Sequence, residues 1–120
     1  MVAQLLYFVV KELFIVTLDD IISEMREKAS GFDASTYSGF LALQITLKDL
    51  GQPLYVEVKD GKLSIEPYEY ADRQAHMIIS SANFMKMING KLNSVLAFTT
   101  GKLKIEGDIE KAKELKQLFV

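Results

Sequence analysis

GFLALQITLKDLGQPLYVEVKDGKLSI, residues 39–65, is a stretch whose apolar positions recur every second residue. Leu41, Leu43, Ile45 and Leu47 alternate with Ala42, Gln44 and Thr46, which is the pattern of a half-buried strand. Asp49-Leu50-Gly51-Gln52-Pro53 turns the chain, and Leu54, Val56 and Val58 alternate with Tyr55, Glu57 and Lys59 in a second strand. Asp60-Gly61 is the favoured pair for a tight type I′ hairpin, and Leu63 with Ile65 carries the third strand.

Working outward, the flanks read as helices around two further strands. Upstream, Thr17 is placed as an N-cap with Asp20 three residues on, where acidic groups suit the positive end of a helix dipole. Leu18, Ile21, Ile22, Met25 and Ala29 form one apolar stripe, and Gly31 is the expected stop. Downstream, residues 75–80 predict a strand with Met77 and Ile79 on one face. Ser81 opens a helix containing Phe84, Met85 and Ile88, closed by Gly90; Asn93 caps a short helix holding Leu96 and Phe98, ended by Gly101. Leu103 and Ile105 share a face of a brief strand over 102–106. Asp108 caps a last helix with the stripe Ile109, Ala112, Leu115 and Phe119, its lysines at 111, 113 and 116 leaning toward the negative end. The order predicts an α+β fold: a curved, mainly antiparallel five-stranded sheet covered by helices.

Composition excludes several functions. The chain has 120 residues, room for one domain with its own core. Fourteen Lys and Arg against sixteen Asp and Glu leave a net charge of −2, against the basic excess of a nucleic-acid binder, so no nucleic-acid partner is expected. Without cysteine there is no disulfide framework, thiolate metal site or thiol nucleophile, and the composition fits a reducing compartment, so a cytoplasmic location is expected. His76 is the sole imidazole, which removes paired-histidine metal sites; it reads as a surface or strand-partner residue. Asp19 and Asp20 read as helix-cap acids, and Gly90-Lys91 and Gly101-Lys102 lack the surroundings of a phosphate-binding loop. Tyr68 and Tyr70 beside Pro67 read equally as an exposed patch or as turn packing. No metal, cofactor or catalytic set is expected, and the chain reads as non-enzymatic.

Residues 1–16 stand apart as an apolar N-terminal extension, with residues 17–120 forming the domain. Leu5, Leu6, Val9, Val10 and Leu13 recur at helical spacing, while Val9, Val10, Ile15 and Val16 keep a strand open as an alternative. Lys11 and Glu12 interrupt the run well short of the roughly 20 apolar residues of a membrane span. The extension is read as packing on the body or on a second copy in a homodimer, with transient membrane contact as the other reading.

Three blocks downstream carry a family signature: Asn83-Phe84, then Asn89-Gly90-Lys91-Leu92-Asn93, then Ala97-Phe98-Thr99-Thr100-Gly101-Lys102-Leu103-Lys104-Ile105-Glu106-Gly107-Asp108. In order and spacing they resemble the sterol carrier protein type 2 family of intracellular lipid-transfer domains. Its members show a capped helix near an Asp-Phe pair, a Gly-Lys turn and a Gly-Lys-Leu-Lys-Ile-x-Gly strand feeding a closing helix. The resemblance extends to Gly39-Phe40-Leu41-Ala42-Leu43 and Val58-Lys59-Asp60-Gly61-Lys62 and covers residues 18–119. Ser94 stands where many members have proline, Thr99 and Thr100 where bulkier side chains are common, and Leu118-Phe119-Val120 is not the peroxisomal tripeptide of animal members.

The resemblance implies an apolar tunnel between sheet and helices that takes a fatty acid, fatty acyl-CoA, sterol or isoprenoid, or phospholipid, without catalysis. The alternative is a lipid-presenting accessory or dimerisation module of a larger assembly, for example in quinone synthesis, as relatives of this fold are. The candidate lining residues are Leu43, Ile45, Met77, Ile79, Phe84, Ile88, Leu96, Phe98, Leu103, Ile105, Leu115 and Phe119, each of which reads equally as plain core. A sixteen-carbon tail offers about 12 kcal/mol of burial before ordering costs. An empty tunnel of about 300 Å³ would cost about 7 kcal/mol, comparable to the stability of a whole domain.

Overall fold

The structure, a computed structural model, describes residues 17–119. The expectations for residues 1–16 lie outside the described part. Helix α1 (Leu18–Lys28) starts where Thr17 and Asp20 close a reciprocal capping box: the Asp20 N–H donates to Thr17 Oγ1 at 3.2 Å and the Thr17 N–H to Asp20 Oδ2 at 3.1 Å. Ile21, Ile22 and Met25 are buried, as the stripe requires. The helix ends earlier than Gly31 implied. Ala29 is the C-cap, and Gly31 is absent from the residues with left-handed backbone. The main-chain N–H groups of Ala29, Ser30 and Phe32 close successive turns instead. A 3-10 turn (Ala34–Thr36), capped by Asp33, leads into the sheet.

Five strands follow: β1 (Leu41–Leu47), β2 (Gln52–Lys59), β3 (Lys62–Glu66), β4 (Ala75–Ile79) and β5 (Leu103–Gly107), in the spatial order β3-β2-β1-β4-β5. Asp60 and Gly61, at φ 52° and 74°, make the left-handed pair that a type I′ turn demands, and Lys59 faces Lys62 across it. β1/β2, β2/β3 and β4/β5 are antiparallel, whereas β4 runs parallel to β1 with Ile45 opposite Met77. The sheet is therefore mixed at its centre, a detail beyond the mainly antiparallel expectation.

Register sorts the side chains. One face carries Leu41, Leu43, Ile45, Leu47, Leu54, Val56, Val58, Ile65, Met77, Ile79 and Leu103, all buried in one core cluster with Ile21, Met25, Phe84, Leu115 and Leu118 from the helical cover. The opposite face is polar and lies against the 67–74 connection. Tyr70 donates its N–H to the buried Gln44 Oε1 at 3.2 Å and its hydroxyl to Glu57 at 2.5 Å, and its ring meets Tyr55 edge-on at 5.1 Å. The bond to Glu57, with burial adding, pushes the Tyr70 phenol up to about 12. Tyr70 is thus turn packing, while Tyr68 stays exposed. His76 is a strand partner: its Nε2 lies 2.7 Å from Thr46 Oγ1, and burial, then the Arg73 charge, lowers its pKa.

The helices α2 (Ser81–Ile88), α3 (Ser94–Thr99) and α4 (Ile109–Lys113) follow; Asn93 and Asp108 cap the last two as the sequence predicts, while Ser80, expected to end the strand, is instead the cap of α2. Asp49, in the β1–β2 turn, accepts the Ser81 N–H at 2.7 Å and its hydroxyl at 2.5 Å, clamping α2 to the sheet. Burial alone would raise this carboxyl; the Ser81 bonds hold it below the ordinary value. The last helix departs from expectation. After Lys113 it tightens into a 3-10 segment (Glu114–Phe119), and three residues per turn align Leu115 with Leu118. Leu118 is therefore buried where Phe119 was expected, and Ile109 is exposed.

Candidate functional site

Eight of the twelve candidate lining residues, Leu43, Ile45, Met77, Ile79, Phe84, Ile88, Leu103 and Leu115, come together in the apolar layer between sheet and cover. Ile105 and Phe119 pack half-buried against it. Leu96 and Phe98 do not join them: they stand 56% and 43% exposed on α3, while Ala97 between them is buried. Residues two apart on a helix are about 200° apart, so the spacing excluded at most one of Leu96 and Phe98; both flank outward because Ala97, about 100° from each, takes the inward position.

Two cavities border this layer, and none of the twelve residues lines either. The larger, about 500 Å³, is an open groove between α1 and the edge strand β3, lined by Arg26, Ala29, Phe32, Leu63, Ile65 and Glu66 among others. The smaller, about 300 Å³, lies between α1 and the start of the 67–74 connection and shares Arg26 and Glu66. A bar made by Arg26 separates them: its guanidinium donates to the Ile65 carbonyl at 2.6 Å and pairs with Glu66 at 3.2 Å. Buried Ile65 and Ile22 belong both to the groove walls and to the core cluster, so the grooves touch the apolar layer along its β3 flank. Nothing in the sequence singled out Arg26, which sits on the wet side of the α1 stripe.

At the other flank a polar latch holds the C-terminal segment. Tyr37 donates to Glu114 at 2.8 Å, and Lys111 Nζ lies 3.4 Å from Glu114, 3.3 Å from the Phe40 carbonyl and 5.9 Å from the Tyr37 ring centre. Burial, then the bond to Glu114, raises the Tyr37 phenol. Burial works against charged Lys111, but the Tyr37 and Glu114 contacts outweigh it and hold its pKa above the ordinary value. Among the described residues, no group of three or more His, Asp or Glu side chains is placed to hold a metal ion, and no helix is long and apolar enough to cross a membrane.

This architecture, a five-stranded sheet with one apolar face under helices, defines a class, and the family model for the SCP-2 sterol transfer family matches residues 23–120. The chain belongs to that family, and with membership comes a general lipid-binding or lipid-transfer role. It is 37% identical over 68 residues to hydroxysteroid dehydrogenase-like protein 2 of Xenopus tropicalis, taking in 54% of this chain and 16% of the relative. It is 35% identical over 63 residues to human sterol carrier protein 2, or 52% of this chain and 12% of that one. The chain thus spans only a small part of the curated relatives it matches. Among solved structures, sterol carrier protein-2 like-3 of Aedes aegypti superposes with a TM-score of 0.69 at 20% identity, covering 88% of this chain and 98% of its own.

Proposed function

We propose that the domain carries one long-chain lipid, its acyl tail inserted between the sheet and the helical cover, and that it catalyses nothing. The observation that carries this reading is the continuity of a single apolar cluster from α1 across the sheet face to Leu118, reached along its β3 flank by the 500 Å³ groove. In the packed arrangement Leu43, Ile45, Met77, Phe84 and Leu115 satisfy one another. A tail entering there replaces methyl–methyl contacts with others of the same kind, so opening the layer exchanges contacts rather than losing them. The cover that yields is the C-terminal segment, half of it 3-10 and held from outside by the Tyr37–Glu114 bond. Arg26 is the cation at both groove mouths and would meet a carboxylate or phosphate head group.

Titrating palmitate into the full chain, with a fluorescent fatty acid displaced in parallel, tests this. Saturable one-to-one binding is expected, with a rise in melting temperature of about 10 °C at a hundredfold excess over Kd. Arg26→Ala should weaken palmitate severalfold and leave methyl palmitate unchanged. A flat titration with no melting shift rejects the reading. Native mass spectrometry of gently purified protein is expected to find retained lipid and gives its class: fatty acid, acyl-CoA, sterol, isoprenoid or phospholipid.

A second reading is a lipid-presenting module within a larger assembly, favoured by the small share of its curated relatives that the chain spans. The apolar 1–16 segment would then be the docking or dimerisation surface. Light scattering on the full chain and on residues 17–120 separates the two. A dimer that becomes a monomer on shortening, with lipid affinity unchanged, favours the module; a monomer in both favours the free carrier. The proposed compartment is the cytoplasm, on the cysteine-free composition.

A further inference from the structure

Helix α3 is short, and its apolar residues face the wrong way for a core helix. Val95, Leu96 and Phe98 are 65%, 56% and 43% exposed, and only Ala97 is buried. The cap and the threonine hydroxyls of the helix are already occupied. Asn93 caps the Val95 and Leu96 N–H groups at 2.9 and 3.1 Å, and the Thr99 and Thr100 hydroxyls donate to the Leu96 carbonyl at 3.1 and 2.7 Å. Such a face leaves water at little polar desolvation cost.

The chain segment that carries it has charge of one sign. Residues 73–105 contain no Asp or Glu, in a chain whose net charge is −2. Within that block Lys91 precedes α3 and Lys102 follows it; both are exposed, and among the described residues neither forms an ion pair. A second copy meeting this face about a two-fold axis would set these lysines against their own images. An anionic bilayer answers both features: apolar side chains enter the headgroup boundary and the lysines meet acidic lipid.

We propose that α3, with Lys91 and Lys102, is the docking face for an anionic membrane surface. This goes beyond the carrier reading, since holding a tail inside the domain requires no bilayer.

The test is co-sedimentation of the full chain with phosphatidylcholine vesicles, with and without phosphatidylserine, at low and high salt. Binding is expected only with phosphatidylserine and is expected to weaken with salt. Each lysine near an anionic surface strengthens binding about fivefold, so Lys91→Gln with Lys102→Gln should lower it about 25-fold. Leu96→Ser with Phe98→Ser, at exposed sites, should lower it more than tenfold without changing the melting temperature. Binding that ignores phosphatidylserine overturns the proposal. So do substitutions that leave binding untouched, which assign the contact to another part of the chain, and so does a dimer that the Leu96→Ser, Phe98→Ser variant dissolves, which makes a second copy the occupant. Palmitate affinity should be unchanged by the lysine substitutions. A failed palmitate titration with vesicle binding intact rejects the carrier reading and leaves the docking face standing.

Discussion

Phe84→Ala is expected to lower the melting temperature by about 15 °C, and saturating palmitate is expected to restore more of that loss than it adds to the parent protein. Phe84 is the largest of the fully buried side chains and lies in the core cluster beside the sheet face. Removing a buried phenyl costs about 3–5 kcal/mol in lost transfer energy and residual cavity, and a domain of this size loses about 4 °C per kcal/mol. The hole falls in the layer proposed for the tail, so a ligand that fills it recovers contacts the parent already has. Thermal melts of both proteins, with and without palmitate, check both parts. A drop of only a few degrees means the layer is not packed around Phe84; equal gains from palmitate make Phe84 core alone, with the tail elsewhere.

The second large effect is steric. Gly107 ends β5 at φ 90°, and a Cβ there would stand 2.7 Å from the Gln74 carbonyl oxygen and 3.2 Å from Ala75 Cα. Those atoms cannot retreat cheaply. The Gln74 N–H donates to the Ala42 carbonyl at 2.8 Å, its amide bridges the Phe40 carbonyl and the Ala42 N–H at 2.9 Å each, and its carbonyl accepts the Asp108 N–H at 2.9 Å. This one residue joins β1, the entry to β4 and the start of α4. Gly107→Ala should therefore lose about 3 kcal/mol, the left-handed backbone and the displaced carbonyl acting together. Gly39→Ala is the control: its φ is 97° but nothing lies within 4 Å, so only the backbone part, about 1 kcal/mol, is expected. Urea unfolding of the two variants with unchanged m-values measures the difference. Equal losses would remove the collision from the explanation.

Much of this architecture was legible because its determinants are local. The period of two placed β1, β2 and β3. The Asp60-Gly61 turn set the register of β2 against β3, and Thr17, Asn93 and Asp108 announced their helices through side chains reaching no more than three residues on. What escaped depends on distant partners. The parallel β1–β4 pairing follows from where the 67–74 connection lies, which Tyr70 fixes through Gln44 and Glu57 across 26 and 13 residues of chain. The burial of Leu118 in place of Phe119 goes with the 3-10 geometry of the last segment, and both residues are apolar in sequence. The candidate site was legible as a set of apolar positions; its edges were not. Arg26 and Glu66 meet across 40 positions, and Tyr37 meets Glu114 across 77, with no shared motif to announce either pair.

The bar across the grooves has a consequence for self-assembly. β3 is an outer strand, and such a border offers main-chain groups that can recruit a strand from another molecule and start a fibril. Arg26 occupies the Ile65 carbonyl on that border and holds α1 alongside it, while at the opposite border β5 is only five residues long and touches both α3 and α4. A residue proposed to greet the cargo is therefore expected to hinder strand addition at this border as well. Substitutions at Arg26 made to retune head-group preference will uncover that acceptor, linking how tightly this protein grips a lipid to how well its copies stay apart.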